Sequence, residues 1–211
     1  MDLGAEFGAI DIYLFDQILR GRISARDRVF DAGCGSGRNL VYLMRAGADV
    51  CGVDGDPDAI REVRSLAASL APALPADNFR VEPIQLSSFP DRFASVVISS
   101  AVLHFAPDDA EFEDMLEGAW RVLASGGLFF CRLASSIGFE TRVRRVGGTD
   151  GAPVWSGRGR YQLPDGTTRY LVDENYLVDR TRTLGGKLLD PIKTTIVQNQ
   201  RSMTTWVVRK D

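Results

Sequence analysis

Three glycines at alternate positions follow a short apolar run that contains an acidic residue. The stretch from Val29 to Asn39 reads VFDAGCGSGRN, with glycines at Gly33, Gly35 and Gly37. Because glycine has no Cβ, a turn that contains three of them can adopt positive φ and bring its backbone close to a ligand. The helix predicted to follow would begin with unpaired N–H groups and a positive dipole end, which suit an anionic group. The stretch therefore predicts a cofactor site.

A second acidic residue helps to define the cofactor. Asp54 follows Gly33 by 21 positions, in the segment DVCGVDGDP. An acid at the end of the second strand is placed to accept hydrogen bonds from ribose hydroxyls, so an adenosine-containing ligand is expected. NAD-binding domains share this acid, but their G-x-G-x-x-G fingerprint has its third glycine where this chain has Arg38. The spacing disfavours NAD, which remains an alternative that calorimetry can test.

The elements that must position these residues alternate along the chain. Apolar runs predict strands over residues 28–31, 49–53, 79–84, 95–100 and 128–133, with amphipathic helices over 57–70 and 109–123 between them. Such alternation is typical of parallel βαβ units. We expect a single α/β domain with a doubly wound, mostly parallel seven-stranded sheet. An antiparallel C-terminal hairpin, residues 187–197 and 203–208, would complete it.

The domain is expected to have four parts. Residues 1–24 carry an amphipathic N-terminal helix over 5–20, and residues 25–134 form the cofactor-binding core. Residues 135–172 are rich in Gly, Arg and turn signals and are interpreted as an insertion with a small hairpin. Residues 173–211 provide a short helix and the final hairpin.

Composition and charge limit the classes of function that are expected for this chain. The 211 residues carry a net charge of −3 without a long basic run, so no nucleic-acid partner is expected. No apolar stretch approaches the roughly 18 residues of a membrane span, and the N-terminus does not resemble a signal peptide. The odd count of three cysteines, without metal-like spacing, predicts buried thiols in a cytoplasmic protein and no metal site.

The glycine motif and several later segments resemble class I S-adenosylmethionine (SAM) dependent methyltransferases. The D-x-G-x-G-x-G form from Asp31 to Gly37 is similar to the first motif of that family, and SSAVLHF and WRVLASGG resemble its segments around strands 4 and 5. GCGSGRN is similar to the form common in small-molecule methyltransferases of the tellurite-resistance and thiopurine type. The chain departs from the family pattern at Phe93-Ala94-Ser95, where Phe-Asp is frequent, and at Ser125, where proline is usual.

The resemblance implies a cofactor, SAM, with S-adenosylhomocysteine as product, and a set of binding residues. The pocket for the methionine end would be formed by the glycine loop and the end of strand 4, and Asp54 would bind the ribose. Gly55 and Asp56 would border the adenine, with Gln85 accepting from its amino group and Leu86 covering the ring. The implied cofactor-binding residues are Asp31, Gly33, Cys34, Gly35, Gly37, Asn39, Asp54, Gly55, Asp56, Gln85, Leu86, Ser99 and Ser100. A tight turn with a surface acid is the alternative.

Outside the cofactor motif, His104 is the one candidate catalytic residue. It is the only histidine and follows strand 4, where it could act as a general base or orient a substrate. Packing against the next helix is an equally good account. Two aromatic residues, Tyr13 and Phe15, could cover the cofactor, and core packing is the alternative for them. Four arginines could bind an anionic acceptor, and a solvated surface is the alternative for these: Arg38, Arg132, Arg158 and Arg160.

These expectations favour an enzyme that moves a methyl group by in-line displacement to a small-molecule acceptor. The resemblance suggests a thiol or a metalloid oxyanion as that acceptor. Two alternatives stay open, a methyltransferase of protein or RNA and a SAM-binding module without catalysis. Steeply salt-dependent polymer binding would favour the first, and cofactor binding without transfer to any acceptor would favour the second.

Overall fold

The central sheet brings the predicted strands together around β1. A computed structural model describes residues 2–146 and 157–211. Five parallel strands are β1 (Arg28–Ala32), β2 (Asp49–Asp54), β3 (Phe79–Val81), β4 (Ala94–Ser100) and β5 (Leu123–Ala134). Their order is β5-β4-β1-β2-β3, so the chain reverses direction of winding between β1 and β4. Ligands bind outside the carboxyl ends of parallel strands at such a reversal.

A second, smaller sheet forms within the predicted insertion. It contains β6 (Arg144–Arg145), β7 (Arg158–Gln162) and β8 (Thr168–Val172), paired antiparallel. A turn at Pro164-Asp165-Gly166 joins β7 to β8, as its composition predicts. The insertion therefore carries three strands where a hairpin was expected. Part of it, residues 147–156, lies outside the described residues.

The C-terminal strands extend the central sheet. They are β9 (Gly186–Leu188), β10 (Lys193–Val197) and β11 (Arg201–Lys210), and β11 pairs antiparallel with β5, β9 and β10. The continuous path β10-β11-β5-β4-β1-β2-β3 has the seven strands that were predicted, and β9 adds a short eighth. The α/β fold and its antiparallel C-terminal part are thus confirmed.

Six α-helices of the described part of the chain pack around the sheet. They are α1 (Leu3–Phe7), α2 (Ile12–Leu19), α3 (Val41–Arg45), α4 (Pro57–Leu70), α5 (Asp109–Val122) and α6 (Glu174–Thr183). An aspartate side chain accepts a backbone N–H at the start of α2, α4, α5 and α6, which satisfies one of the otherwise unpaired donors there. Among the described residues, no helix combines the length and the apolar character needed to cross a bilayer.

The core divides into one apolar cluster on each face of the sheet. Phe30 packs in the cluster that contains Phe112 of α5 and Leu177 of α6. Val29, the preceding residue, packs in the cluster that contains Leu43 of α3 and Val63 of α4. Alternate residues of β1 thus point to opposite faces and are buried on both, as expected for a central parallel strand.

Some predicted boundaries were wrong, and backbone chemistry gives the reason. The N-terminal helix is broken at Gly8, which adopts φ +62°. The strand predicted over 79–84 ends at Val81, because Pro83 cannot donate to the neighbouring strand. Likewise, Pro191 lies in the gap between β9 and β10, which were predicted as one strand. The helix after the glycines, α3, has only five residues, so most of the segment between β1 and β2 is turn and not helix.

Candidate functional site

Parallel pairing of β1 with β2 and β4 brings the carboxyl ends of three strands to one edge of the sheet. This edge borders a first cavity of about 430 Å³, beneath the glycine loop and beside the end of β4. Residues predicted to bind the cofactor supply over half of its lining. The lining residues are Gly33, Cys34, Gly35, Ser36, Arg38, Asn39, Asp54, Ser100, Ala101, Val102 and Phe105.

Asp54 ties the glycine loop to the end of β2. One carboxylate oxygen accepts the backbone N–H of Gly35 at 2.9 Å, and the other accepts that of Asp56 at 2.9 Å. The side chain is therefore held in one orientation while it lines the first cavity. A carboxylate oxygen has two lone pairs, so Asp54 keeps capacity to accept hydrogen bonds from ribose hydroxyls.

The three glycines of the motif have different constraints. A Cβ on Gly33, at φ +86°, would lie 2.5 Å from Cγ2 of Val102, and one on Gly37 would lie 2.7 Å from Cγ2 of Val63. Gly35 also has a positive φ, +51°, but a Cβ there would meet no heavy atom within 4 Å. Gly33 and Gly37 thus allow close packing inside the protein, whereas Gly35 leaves its exposed backbone open to a ligand.

Asp31 lies beneath the loop as a buried carboxyl group without a partner. It is 1% exposed, and neither oxygen has a hydrogen bond within the described part of the chain. Burial raises the pKa of Asp31 to about 8, because removal from water penalises the ionised form. Ser99, which is fully buried on neighbouring β4, also has an unpaired hydroxyl. Such unsatisfied groups require explanation, and a ligand with a positive or donor group would provide one.

We expect the pKa of Asp31 to make the stability of the cofactor-free protein decline with pH. The folded protein holds the proton up to about pH 8, because its pKa is raised there, whereas the unfolded chain releases it near the ordinary pKa of 3.8. Folding stability from this group is therefore full below pH about 4 and falls as the pH rises to about 8. Asp31→Asn removes the ionisable group. Between pH 6 and pH 9 the melting temperature of this variant should therefore fall by several degrees less than the melting temperature of the wild type. Scanning calorimetry measures the difference.

The matched control for this prediction is Asp49→Asn. Asp49 lies at the amino end of β2, where its exposed carboxylate pairs with Arg28 at 2.6 Å. Its profile of melting temperature against pH should parallel that of the wild type. If the melting temperatures of Asp31→Asn and the wild type changed in parallel with pH, the ionisation of Asp31 would not be the cause of the decline in stability.

A second cavity, of about 320 Å³, adjoins the first. The two share Arg38, Ala101 and Phe105, and Phe105 is 60% exposed between them. The second cavity lies between the carboxyl ends of the central strands and the small sheet. Its lining residues are Arg38, Ala101, His104, Phe105, Arg132, Ala134, Leu163, Asp165, Thr167, Arg169, Val197, Arg201 and Met203.

His104 lines the second cavity as a neutral imidazole. The backbone N–H of Ala134 donates to Nδ1 at 3.0 Å, so the neutral ring carries its proton on Nε2. Burial and then the charges of Arg169 and Arg201 lower the pKa of His104 to about 3. Since the lone pair on Nδ1 is occupied, His104 is suited to donate a hydrogen bond and poorly suited to accept a proton. Its orienting role therefore fits better than the general-base role.

Asp11 fastens the N-terminal segment over the same edge of the sheet. Its carboxylate pairs with Arg132 at 2.8 Å and accepts from the Ser100 hydroxyl at 3.3 Å, while its backbone N–H donates to Oδ1 of Asn39 at 3.0 Å. Asp11 is only 3% exposed. Two predicted site residues, Asn39 and Ser100, are thus held by Asp11, a residue to which the sequence analysis assigned no role in the site.

Several predicted cofactor residues do not line the first cavity. Gln85 donates to Glu111 of α5, and Leu86 is 73% exposed on a separate surface depression. The Asp56 carboxylate accepts the N–H of Asp58 at the start of α4, and Gly55 has open space around it. The roles of these four residues toward an adenine ring stay predictions.

The aromatic and basic residues that were considered outside the glycine motif lie in different parts of the structure. Phe15 packs edge-to-face against Phe7, which agrees with the packing alternative, whereas the Tyr13 ring lies under Arg132 and its role stays a prediction. Arg38 and Arg132 line the second cavity, whereas Arg158 pairs with Glu113. Arg160 is exposed on β7 and lies outside both linings. Arg169 and Arg201 were missed, since no motif links the insertion or β11 to the site.

Comparison with known proteins identifies the central part of the chain. A family described as a methyltransferase domain matches residues 30–131. An uncharacterized methyltransferase of Schizosaccharomyces pombe is 30% identical over 115 residues, which are 54% of this chain and 42% of that protein. The chain therefore spans less than half the length of this curated relative.

Solved structures extend the likeness to the whole fold. A SAM-dependent methyltransferase of Methanosarcina mazei has a TM-score of 0.68 and 21% identity, with 92% of this chain and 96% of that one covered. A 1,6-didemethyltoxoflavin-N1-methyltransferase of Burkholderia thailandensis, solved with that compound and S-adenosylhomocysteine, has a TM-score of 0.66 and 17% identity over 100% and 82% of the two chains. TehB of Haemophilus influenzae has a TM-score of 0.66 and 18% identity over 97% and 63%.

Proposed function

Residues 30–131 match a methyltransferase-domain family, and we propose that the chain is a class I SAM-dependent methyltransferase that transfers the methyl group of SAM to a small-molecule acceptor. The observation that carries the proposal is the pair of adjoining cavities at the carboxyl ends of β1, β2, β4 and β5. They share a boundary at Arg38, Ala101 and Phe105. Two ligands bound there would meet at that boundary, as a transfer between them requires.

The chemistry of the first cavity's residues supports SAM as the ligand. The open backbone at Gly35 would accommodate the methionine end, and the Asp54 carboxylate would accept from the ribose hydroxyls. The unpaired Asp31 carboxyl group would be compensated by a positively charged amino group nearby. These assignments, together with Cys34, Asn39 and Ser100 in the lining, are proposals that rest on the fit.

For methyl transfer itself, the protein has mainly to place the acceptor in line with the methyl group of SAM. SAM supplies a methyl group activated by its sulfonium charge, which moves by in-line displacement. Phe105 and Ala101 separate the two cavities and would limit how closely the acceptor approaches. The Nε2–H of His104 would orient the acceptor by a hydrogen bond, which makes His104 a positioning residue. No covalent step on a side chain is proposed, and the pKa of the Cys34 thiol is raised by burial.

The size of the second cavity supports a small molecule as acceptor. A volume of about 320 Å³ lies at the lower end of the range for small-molecule pockets, roughly 300–1,000 Å³. The net charge of −3 gives no support to a nucleic-acid substrate. A cytoplasmic location is part of the proposal and is supported by Cys34, Cys51 and Cys131, all buried free thiols.

Radiolabelled SAM tests the function directly. The protein is incubated with labelled SAM and, separately, with thiols, oxyanions, organic acids and a low-molecular-weight metabolite extract, and the label is followed by chromatography. We expect SAM and S-adenosylhomocysteine to bind in calorimetry and the label to enter a small product. Label in protein or RNA would instead identify a macromolecular substrate. Cofactor binding without any transfer would favour a binding module, and NAD binding would contradict the assignment.

A further inference from the structure

We infer that the second cavity binds the acceptor through a carboxylate, held between Arg169 and Arg201 with the Nε2–H of His104 as a neutral donor. The inference rests on the proposed function, because it assigns the acceptor's chemical class to the second of the two cavities. The sequence analysis considered Arg158 and Arg160 as residues that could bind an anionic acceptor. The fold instead brings Arg169 and Arg201 to the cavity. One lies on β8 and the other begins β11.

Charge is the first argument. Four guanidinium groups line the second cavity, from Arg38, Arg132, Arg169 and Arg201, against one carboxylate from Asp165. The whole chain has a net charge of −3, so this positive excess is local. Oδ1 of Asp165 accepts from the backbone and hydroxyl of Thr167, at 2.9 and 2.6 Å, and Asp165 forms no ion pair with an arginine in the described residues. The hydrogen bond from Thr167, and then the charges of Arg169 and Arg201, lower the pKa of Asp165, so this single carboxylate offsets the positive charge only in part. A cavity of this kind attracts an anion.

The second argument is that three of these arginines, Arg38, Arg169 and Arg201, have no carboxylate partner among the described residues, and Arg38 already donates to the Ser100 hydroxyl at 3.4 Å. Arg132 is paired with Asp11. Arg169 donates to the Thr168 carbonyl at 2.7 Å, and its guanidinium lies 4.8 Å from the centroid of the Phe105 ring. Within residues 2–146 and 157–211, Arg201 forms neither a hydrogen bond nor an ion pair through its side chain. Arg169 and Arg201 therefore keep donors for a planar oxygen acid.

His104 connects these two arginines. It is 5% exposed and lines the cavity, and both guanidinium groups are close enough to lower its pKa. Since the Ala134 N–H occupies Nδ1, the ring presents Nε2–H as a donor, for which the described residues provide no acceptor. An anionic oxygen in the cavity would accept a hydrogen bond from this donor, whereas a cation or a purely apolar ligand would not.

The apolar part of the lining defines the rest of the ligand. Phe105, Leu163, Val197 and Met203 share the second cavity with the charged groups. Their side chains favour a compact hydrocarbon or aromatic body over a bare inorganic ion. The expected ligand is therefore a small organic acid, and benzoate is a suitable probe.

The single histidine allows a test that needs no knowledge of the true acceptor. Full-length protein labelled with ¹⁵N-histidine and saturated with S-adenosylhomocysteine is titrated with benzoate, benzamide or inorganic phosphate at constant ionic strength. Every imidazole signal then reports on His104. We expect benzoate to shift the Nε2 signal saturably and benzamide not to shift it. Arg201→Gln and Arg169→Gln should each weaken benzoate binding about tenfold or more, the range for a charge-assisted hydrogen bond.

Arg209→Gln is the matched control. Arg209 also lies on β11, but it donates to the Gly126 carbonyl at the opposite end of the strand, and its replacement should change benzoate affinity less than twofold. Melting temperatures establish that each variant is folded. An unchanged benzoate affinity in folded Arg201→Gln, or equal shifts with benzamide, would overturn the inference. A response to phosphate but not to benzoate would overturn the organic-acid assignment.

Calorimetry with S-adenosylhomocysteine on the same samples separates this inference from the proposed function. If the cofactor product binds but benzoate does not move the His104 signal, the acceptor assignment fails and the methyltransferase proposal stands. If the cofactor product does not bind, the proposed function fails. The benzoate titration of the cofactor-free protein then still tests the anion site.

Discussion

Replacing Asp54 with alanine is expected to weaken the binding of S-adenosylhomocysteine by about ten- to a hundredfold while the protein stays folded. The substitution removes the acceptor of the Gly35 and Asp56 N–H groups and the proposed acceptor of the ribose hydroxyls. Polar groups left without partners cost about 1–3 kcal/mol, which corresponds to that range of affinity. Titration calorimetry measures the dissociation constant. Asp54→Asn keeps one oxygen acceptor, so it should lose less affinity.

Asp49→Ala is the control for this prediction. It removes a carboxylate from the same strand, at the end away from the cavity, where the side chain is exposed and paired with Arg28. Exposed ion pairs contribute little, so both cofactor affinity and melting temperature should stay close to those of the wild type. If Asp54→Ala bound S-adenosylhomocysteine as tightly as Asp49→Ala, Asp54 would have no part in cofactor binding.

The glycine loop provides the second large effect. Gly33→Ala should lower the stability by about 2–4 kcal/mol, because the residue must keep a left-handed φ and its Cβ would lie 2.5 Å from Cγ2 of Val102. For a domain of this size the melting temperature should fall by roughly 5–15 °C. Gly35→Ala meets no neighbouring atom, so its stability should fall only by about 1 kcal/mol. Its affinity for S-adenosylhomocysteine should nevertheless fall at least tenfold, because the Cβ occupies space proposed for the cofactor.

Gly21→Ala is the matched control for Gly35→Ala. Gly21 also has a positive φ, +67°, and open space around it, but it lies at the end of α2 outside both cavities. The two variants should lose similar stability, and only Gly35→Ala should lose cofactor affinity. Equal affinities in these variants would contradict the proposed location of the methionine end. Calorimetric titration and thermal unfolding give the two readouts.

Local sequence was sufficient to predict the central fold because its signals lie within single elements. The apolar run of β4, the glycine turn and the amphipathic patterns of α4 and α5 act over a few residues each, and these elements lie close to their predicted positions. The errors came from residues that interrupt a pattern. Gly8 breaks the N-terminal helix, and Pro83 and Pro191 shorten predicted strands, although the apolar periodicity continues past each of them.

The first cavity follows from local sequence, because Gly33, Gly35 and Asp54 belong to short segments whose strands must end at one edge of a parallel sheet. The second cavity depends on how remote segments pack together. His104, Arg169 and Arg201 come from three segments joined by pairing of the insertion and of β11, and no spacing in the sequence encodes that contact. The tertiary structure also decided the state of His104, because the proton on Nε2 follows from a hydrogen bond to the distant backbone of Ala134. Short-range geometry follows from residue type, whereas the meeting of remote side chains depends on how the whole chain packs.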